Sequence, residues 1–112
     1  MLFRSEQATK NLDKLLALNP NSILGYYYLG RVRAQSRLYL AAEESYRKAL
    51  ELNPKSEAVL MDLALVYELQ GKPQDAIQTY QKIIQGNPKS VWARKRLGEL
   101  YVGDNKLDEA LS

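Results

Sequence analysis

An all-α solenoid of stacked antiparallel helix hairpins is the fold this sequence predicts, on three observations. The tetrapeptide Asn-Pro-x-Ser occurs at Asn19-Pro20-Asn21-Ser22, Asn53-Pro54-Lys55-Ser56 and Asn87-Pro88-Lys89-Ser90, 34 residues apart each time. A fixed period of this length marks a repeat architecture. Between the tetrapeptides, large apolar residues fall in threes and fours, the spacing of one helix face. Small residues recur at the same interval, at Gly30, Ala64 and Gly98 and again at Ala42, Ala76 and Ala110, where two helices have to approach closely.

Each tetrapeptide ends one helix and starts another. Proline cannot extend a preceding helix and drives the residue before it out of the helical region. The serine two positions on can accept from the free N–H groups of the next helix. The chain therefore opens with a helix over Ser5 to Leu18 carrying Ala8, Leu12 and Leu15. The first full hairpin pairs Ile23 to Gln35 (Ile23, Tyr26, Leu29, Val32) with Tyr39 to Leu52 (Ala42, Tyr46, Ala49, Leu50), turning at Ser36-Arg37. The second pairs Ala58 to Leu69 with Gln74 to Gln85, turning at Gly71-Lys72-Pro73, where proline suits a first helical turn. A sixth helix starts at Val91 and breaks at Gly103-Asp104-Asn105, and a C-terminal stub holds Ala110. No hairpin buries its apolar face alone, so neighbours stack on one continuous core. Tyr46 and Tyr80 are large enough to fill the gap between one hairpin and the next.

Composition bounds the function. A chain of 112 residues with 46% hydrophobic and 26% charged residues is one ordinary globular domain. No apolar run approaches the roughly 18 residues that span a bilayer, and Met1 to Glu6 lacks a signal-peptide layout. The chain has no cysteine and no histidine. That removes disulfides, thiolate metal sites and the commonest general base, and leaves the compartment open. Gly25 to Val32 holds two glycines but lacks the lysine and Ser/Thr of a phosphate loop, and it lies within a helix. Ser45-Tyr46-Arg47-Lys48 matches Ser-x-x-Lys without its companion motifs. The pairs Glu43-Glu44 and Asp108-Glu109 diverge on their helices and read as solvated. The sequence predicts no enzyme, no metal and no cofactor.

These residues resemble the tetratricopeptide repeat, a 34-residue helix–turn–helix. The first full unit supplies Tyr26, Leu29-Gly30, Ala42, Tyr46, Ala49 and Pro54, departing at Arg33, where tyrosine is usual. The second supplies Leu60, Leu63-Ala64, Tyr67, Ala76, Tyr80 and Pro88, with Ile83 in place of the last alanine. The third supplies Leu97-Gly98, Tyr101 and Ala110, with Arg94 at an apolar position. The resemblance implies a right-handed α-solenoid whose concave face is lined by first helices. It divides residues 1–112, a single array, into the second helix of a preceding repeat (1–22), two repeats (23–56 and 57–90) and an incomplete repeat (91–112). An array that starts and stops inside a unit is expected to be a segment of a longer one.

The resemblance also implies which side chains face the groove. They are Leu24, Tyr27, Tyr28, Arg31, Ala34 and Gln35 in unit one, and Ala58, Met61, Asp62, Leu65, Glu68 and Leu69 in unit two. Unit three adds Trp92, Lys95, Arg96, Glu99, Val102 and Gly103. Tyr27, Tyr28 and Trp92 are of the type enriched at binding hot spots, although Tyr27 and Tyr28 serve equally well as packing residues. Arg31, Lys95 and Arg96 suit carboxylates. The relatives that clamp a C-terminal carboxylate do so at positions matching Tyr27, Arg31, Asp62, Trp92 and Arg96; only Arg96 fits, and Asp62 repels such a ligand. The expected role is a non-catalytic scaffold holding a protein or peptide partner. Self-association as a homo-oligomer through the solenoid ends is the alternative. Nucleic acid is disfavoured, because the net charge of +3 is distributed over the four units as +1, +3, −1 and 0, without the sustained basic stripe that phosphate tracking needs.

Overall fold

A computed structural model describes residues 2–103. It holds six helices: α1 (Leu2–Leu18), α2 (Ile23–Gln35), α3 (Tyr39–Leu52), α4 (Glu57–Leu69), α5 (Pro73–Gly86) and α6 (Val91–Gly103), with no strand among the described residues. Each helix packs on the next, and α2 also touches α4. The stack is elongated, 48 × 27 × 17 Å. The helix α1 starts three residues before the Ser5 that periodicity suggests, and Gly103 closes α6 as a helical residue. Asp104, Asn105, Ala110 and the expected stub lie outside the described residues.

The punctuation works as its chemistry requires. Asn53 and Asn87, each before a proline, are extended at φ −147° and −143°. The serine hydroxyls cap the next helix: Ser22 Oγ accepts from Gly25 N at 3.0 Å, Ser56 from Val59 N at 3.4 Å, and Ser90 from Ala93 N at 3.4 Å. The asparagines add a bond the sequence reading did not assign. The Oδ1 atoms of Asn53 and Asn87 each accept the backbone N–H two residues on, at 3.3 Å, folding the link into an Asx turn.

The turns inside the two hairpins are alike. Leu38 N donates to Arg33 O (2.8 Å) and Lys72 N to Tyr67 O (2.9 Å), closing the ends of α2 and α4 over a left-handed residue. That residue is Gly71 (φ 73°) in one hairpin and Arg37 (φ 62°), 34 positions earlier, in the other. A side chain in that region costs about 1–2 kcal/mol, and glycine's extra unfolded-state entropy offsets part of this. Arg37→Gly is therefore expected to stabilise the chain by a few tenths to about 1 kcal/mol, read as a higher urea midpoint at unchanged slope.

The core runs along the stack through Leu29, Ala42, Tyr46, Ala49, Leu60, Leu63, Ala64, Ala76, Tyr80, Ile83 and Ala93, all buried. Tyr46 lies against Gly30 and near the α4 residue Asp62, while Tyr80 reaches α6. No described atom lies within 4 Å of where a Cβ at Gly98 would be; the second helix of its unit, including Ala110, falls outside the described residues. Arg33, where the pattern has tyrosine, links the two helices of its hairpin by donating from Nη1 to Ser45 Oγ (2.7 Å) and Ala41 O (3.4 Å). The Ser45 hydroxyl is buried and bonded to Ala41 O at 3.1 Å, a structural role that leaves it no part in a Ser-x-x-Lys site. Glu43 departs from the solvated face expected of it. Its carboxylate takes Arg47 (2.9 Å), Gln70 (3.0 Å) and Lys72 (3.8 Å), tying α3 to the turn between α4 and α5.

Candidate functional site

The first helices of the hairpins, α2, α4 and α6, carry the residues expected to meet a ligand. Leu24, Tyr28, Arg31, Leu65, Lys95 and Glu99 are exposed, and Tyr27, Met61, Asp62, Trp92 and Arg96 are half-buried. Apolar side chains are exposed on all three helices: Leu24 and Tyr28 (47%) on α2, Leu65 (37%) and Leu69 (60%) on α4, and Val91 and Val102 on α6. These eleven side chains do not act alike, because the two junctions between successive units are built differently.

At the junction of α2 with α4, Tyr27 packs beside Tyr46 (ring centroids 6.1 Å) and Tyr28 (5.7 Å), and the Arg31 guanidinium lies 5.8 Å over the Tyr27 ring. Burial pushes the Tyr27 phenol above its ordinary pKa, and the neighbouring Asp62 carboxylate adds to the rise. Burial also raises Tyr46, again with Asp62 contributing. A cleft of about 230 Å³ opens here. Ala34, Leu65, Val66 and Leu69 line it, Tyr46 forms its inner wall, and Arg31 and Asp62 flank it.

At the junction of α4 with α6, the equivalent space is filled from within. Trp92 meets Tyr80 edge-on at 5.5 Å. The Glu68 carboxylate accepts from the Tyr80 hydroxyl and from the Arg96 guanidinium, whose Nη1 also donates to Glu99 at 2.7 Å. The bond to Glu68, followed by the contact with Tyr80, raises the Arg96 pKa. Arg96 is thus committed to its own chain, where the sequence reading had it available to a ligand carboxylate. The one position that matched a carboxylate clamp is already occupied. Glu68, read as a groove residue, is the group that sequence reasoning missed as an internal partner. The signal was present in the 34-residue comparison: Ala34 and Asp62 stand in the first junction where Glu68 and Arg96 stand in the second.

The tetratricopeptide repeat model matches residues 4–57, 27–91 and 62–112, which together take in nearly the whole chain. The chain belongs to the tetratricopeptide repeat family. Among curated relatives it is 40% identical over 78 residues to the TPR repeat-containing protein MJ1428 of Methanocaldococcus jannaschii, covering 70% of this chain and 14% of that protein. It is 34% identical over 93 residues to the photosystem I assembly protein Ycf3 of a Synechococcus strain, covering 79% of this chain and 54% of that one. Among solved structures, MamA aligns at a TM-score of 0.89 with 30% identity over 96% of this chain and 63% of its own. YrrB, described as a TPR protein with an unusual peptide-binding site, aligns at 0.81 with 26% identity over 98% of this chain and 57% of its own. This chain spans about half or less of the length of these two curated relatives. Its fold is the tetratricopeptide solenoid, an architecture that serves protein–protein interaction.

Proposed function

We propose that the chain is a non-catalytic scaffold that holds an extended peptide or protein segment along α2, α4 and α6. The observation that carries this reading is the open cleft between α2 and α4, with Leu65 and Leu69 exposed in its lining and Tyr28 exposed elsewhere on α2. Exposed apolar side chains grouped on one face mark interaction surfaces, and aromatic anchors supply much of the energy in such contacts. YrrB, a TPR protein with an unusual peptide-binding site, and Ycf3, a photosystem I assembly protein, agree with a binding role. The absence of histidine and cysteine from the sequence removes the commonest catalytic groups.

Peptides selected on the immobilised chain from a random library test this. Tyr28→Ala and Leu65→Ala are each expected to weaken the selected peptides by about 1–2 kcal/mol or more. Gln78→Ala, on α5 and away from this face, is expected to stay within about 0.5 kcal/mol. Peptides that respond to Gln78→Ala and ignore both face variants overturn the assignment. Self-association is the second reading, on the exposed Leu15 and Leu18 of α1; its signature is a mass that rises with concentration and is indifferent to Leu65→Ala.

A further inference from the structure

The chain carries its own example of how a junction cleft is filled. In the second junction a side chain from position 68 enters the space between first helices and meets the tyrosine at position 80 and the charged residue at position 96. One repeat earlier the wall is the same, Tyr46 for Tyr80, but the entering side chain is missing, because position 34 is alanine. The receiving charge is also reversed, since Asp62 stands where Arg96 stands one repeat later. Among the described residues no Lys or Arg nitrogen lies within 4.0 Å of the Asp62 carboxylate. A half-buried carboxylate that meets the Tyr27 hydroxyl but no cation, beside a largely apolar open cleft, is complementary to a group that is apolar along its length and positive at its tip.

Building on the scaffold reading above, we propose that this cleft takes an arginine or lysine side chain of the bound segment. Its methylenes run along Leu65, Val66 and Leu69 and its head group reaches Asp62. Long basic side chains bury their stems while the charged end finds a partner, so one side chain satisfies both features of the cleft. Charge reversal decides the sign: Glu68 completes the junction that has Arg96, and a cation completes the junction that has Asp62. Arg31 sets the limit on affinity. Its guanidinium rests over the Tyr27 ring at 5.8 Å, with no carboxylate within 4.0 Å among the described residues, and as a like charge at the rim it opposes a cationic ligand.

The test is an NMR titration of the full chain with three capped heptapeptides of alanine and leucine that differ only at the centre, holding arginine, citrulline or glutamate. The arginine peptide is expected to bind about tenfold more tightly than the citrulline one, the scale of one charge-assisted hydrogen bond, and to shift the methyl signals of Leu65, Val66 and Leu69. Asp62→Asn is expected to erase that tenfold advantage, and Arg31→Ala to enlarge it. The double substitution Ala34→Glu with Asp62→Arg copies the second junction into the first. It is expected to keep the helical spectrum and the melting transition while abolishing arginine-dependent binding. Preference for the glutamate peptide, lost with Arg31→Ala, overturns the proposal in favour of an anionic ligand. Equal binding of all three peptides on α2 and α4, indifferent to Asp62→Asn, overturns it while leaving the scaffold reading in place. Shifts confined to α3 and α5, or no shifts with any peptide, overturn it as well, and the former also counts against the α2–α4–α6 face itself.

Discussion

Tyr80→Ala is expected to destabilise the chain by about 3–5 kcal/mol, the range for deleting a fully buried aromatic. Tyr80 has no exposed surface, and three interactions converge on it. Its ring fills the space between α4 and α6, the edge-on contact with Trp92 at 5.5 Å fixes α6 against it, and its hydroxyl donates to Glu68. Truncation leaves a cavity that the neighbouring helices close only in part, and removes one donor from a carboxylate that also serves Arg96. Domains of this size have about 5–15 kcal/mol in total, so the loss takes a large share of it. Tyr80→Phe separates the contributions: it keeps the ring and forfeits the hydrogen bond, at a cost of about 1–2 kcal/mol. Urea unfolding of the three proteins decides it. Equal losses for Ala and Phe would mean that the bond to Glu68, and not the packing, holds the second junction together.

What the sequence exposed about this molecule was local and periodic. Asn-Pro-x-Ser sets where α1, α3 and α5 stop and where α2, α4 and α6 start because its chemistry acts within four residues: an extended residue before proline, then a hydroxyl on the next helix. The beginning of α1 carries no such signal, and there the expected start lay three residues late. The buried roles of Tyr46 and Tyr80 were readable from the 34 residues between them, the same interval that separates Gly30 from Ala64. Arg96 was not readable from its own unit. Its partner Glu68 lies 28 residues away on the preceding hairpin, and only the stacking of α6 on that hairpin brings the two together. A residue's place on a first helix therefore says where it points, while the neighbouring repeat decides whether it is free. The same holds for Glu43, whose helix position suggested solvent and whose partners Gln70 and Lys72 come from the next hairpin.

Gly30→Leu is the second large effect expected, a loss of about 1–3 kcal/mol or more through overpacking. A Cβ built on Gly30 would lie 2.5, 2.7 and 2.9 Å from Cε1, Cδ1 and Cζ of Tyr46. That ring is only 1% exposed and has the Tyr27 ring 6.1 Å away, so it cannot swing clear as the end of a flexible chain would. The second hairpin accepts a Cβ at the matching place, for Ala64, in the repeat that carries Tyr80, is fully buried. Gly30→Ala therefore sets a clash against the gain of about 1 kcal/mol that alanine brings to a helix interior, and its net effect should be small. Leucine adds three further carbons where even one is tight. Gly86→Leu is the control, the same change at the end of α5, where no described atom outside its own stretch of helix lies within 4 Å of its Cβ, and it is expected to be neutral or slightly stabilising through helix propensity. Thermal and urea midpoints of the three variants give the comparison. A Gly30→Leu protein as stable as Gly86→Leu would mean that α2 and Tyr46 are farther apart than this packing requires. The cleft between α2 and α4 would then lose its inner wall, and the ligand reading built on it would have to be withdrawn.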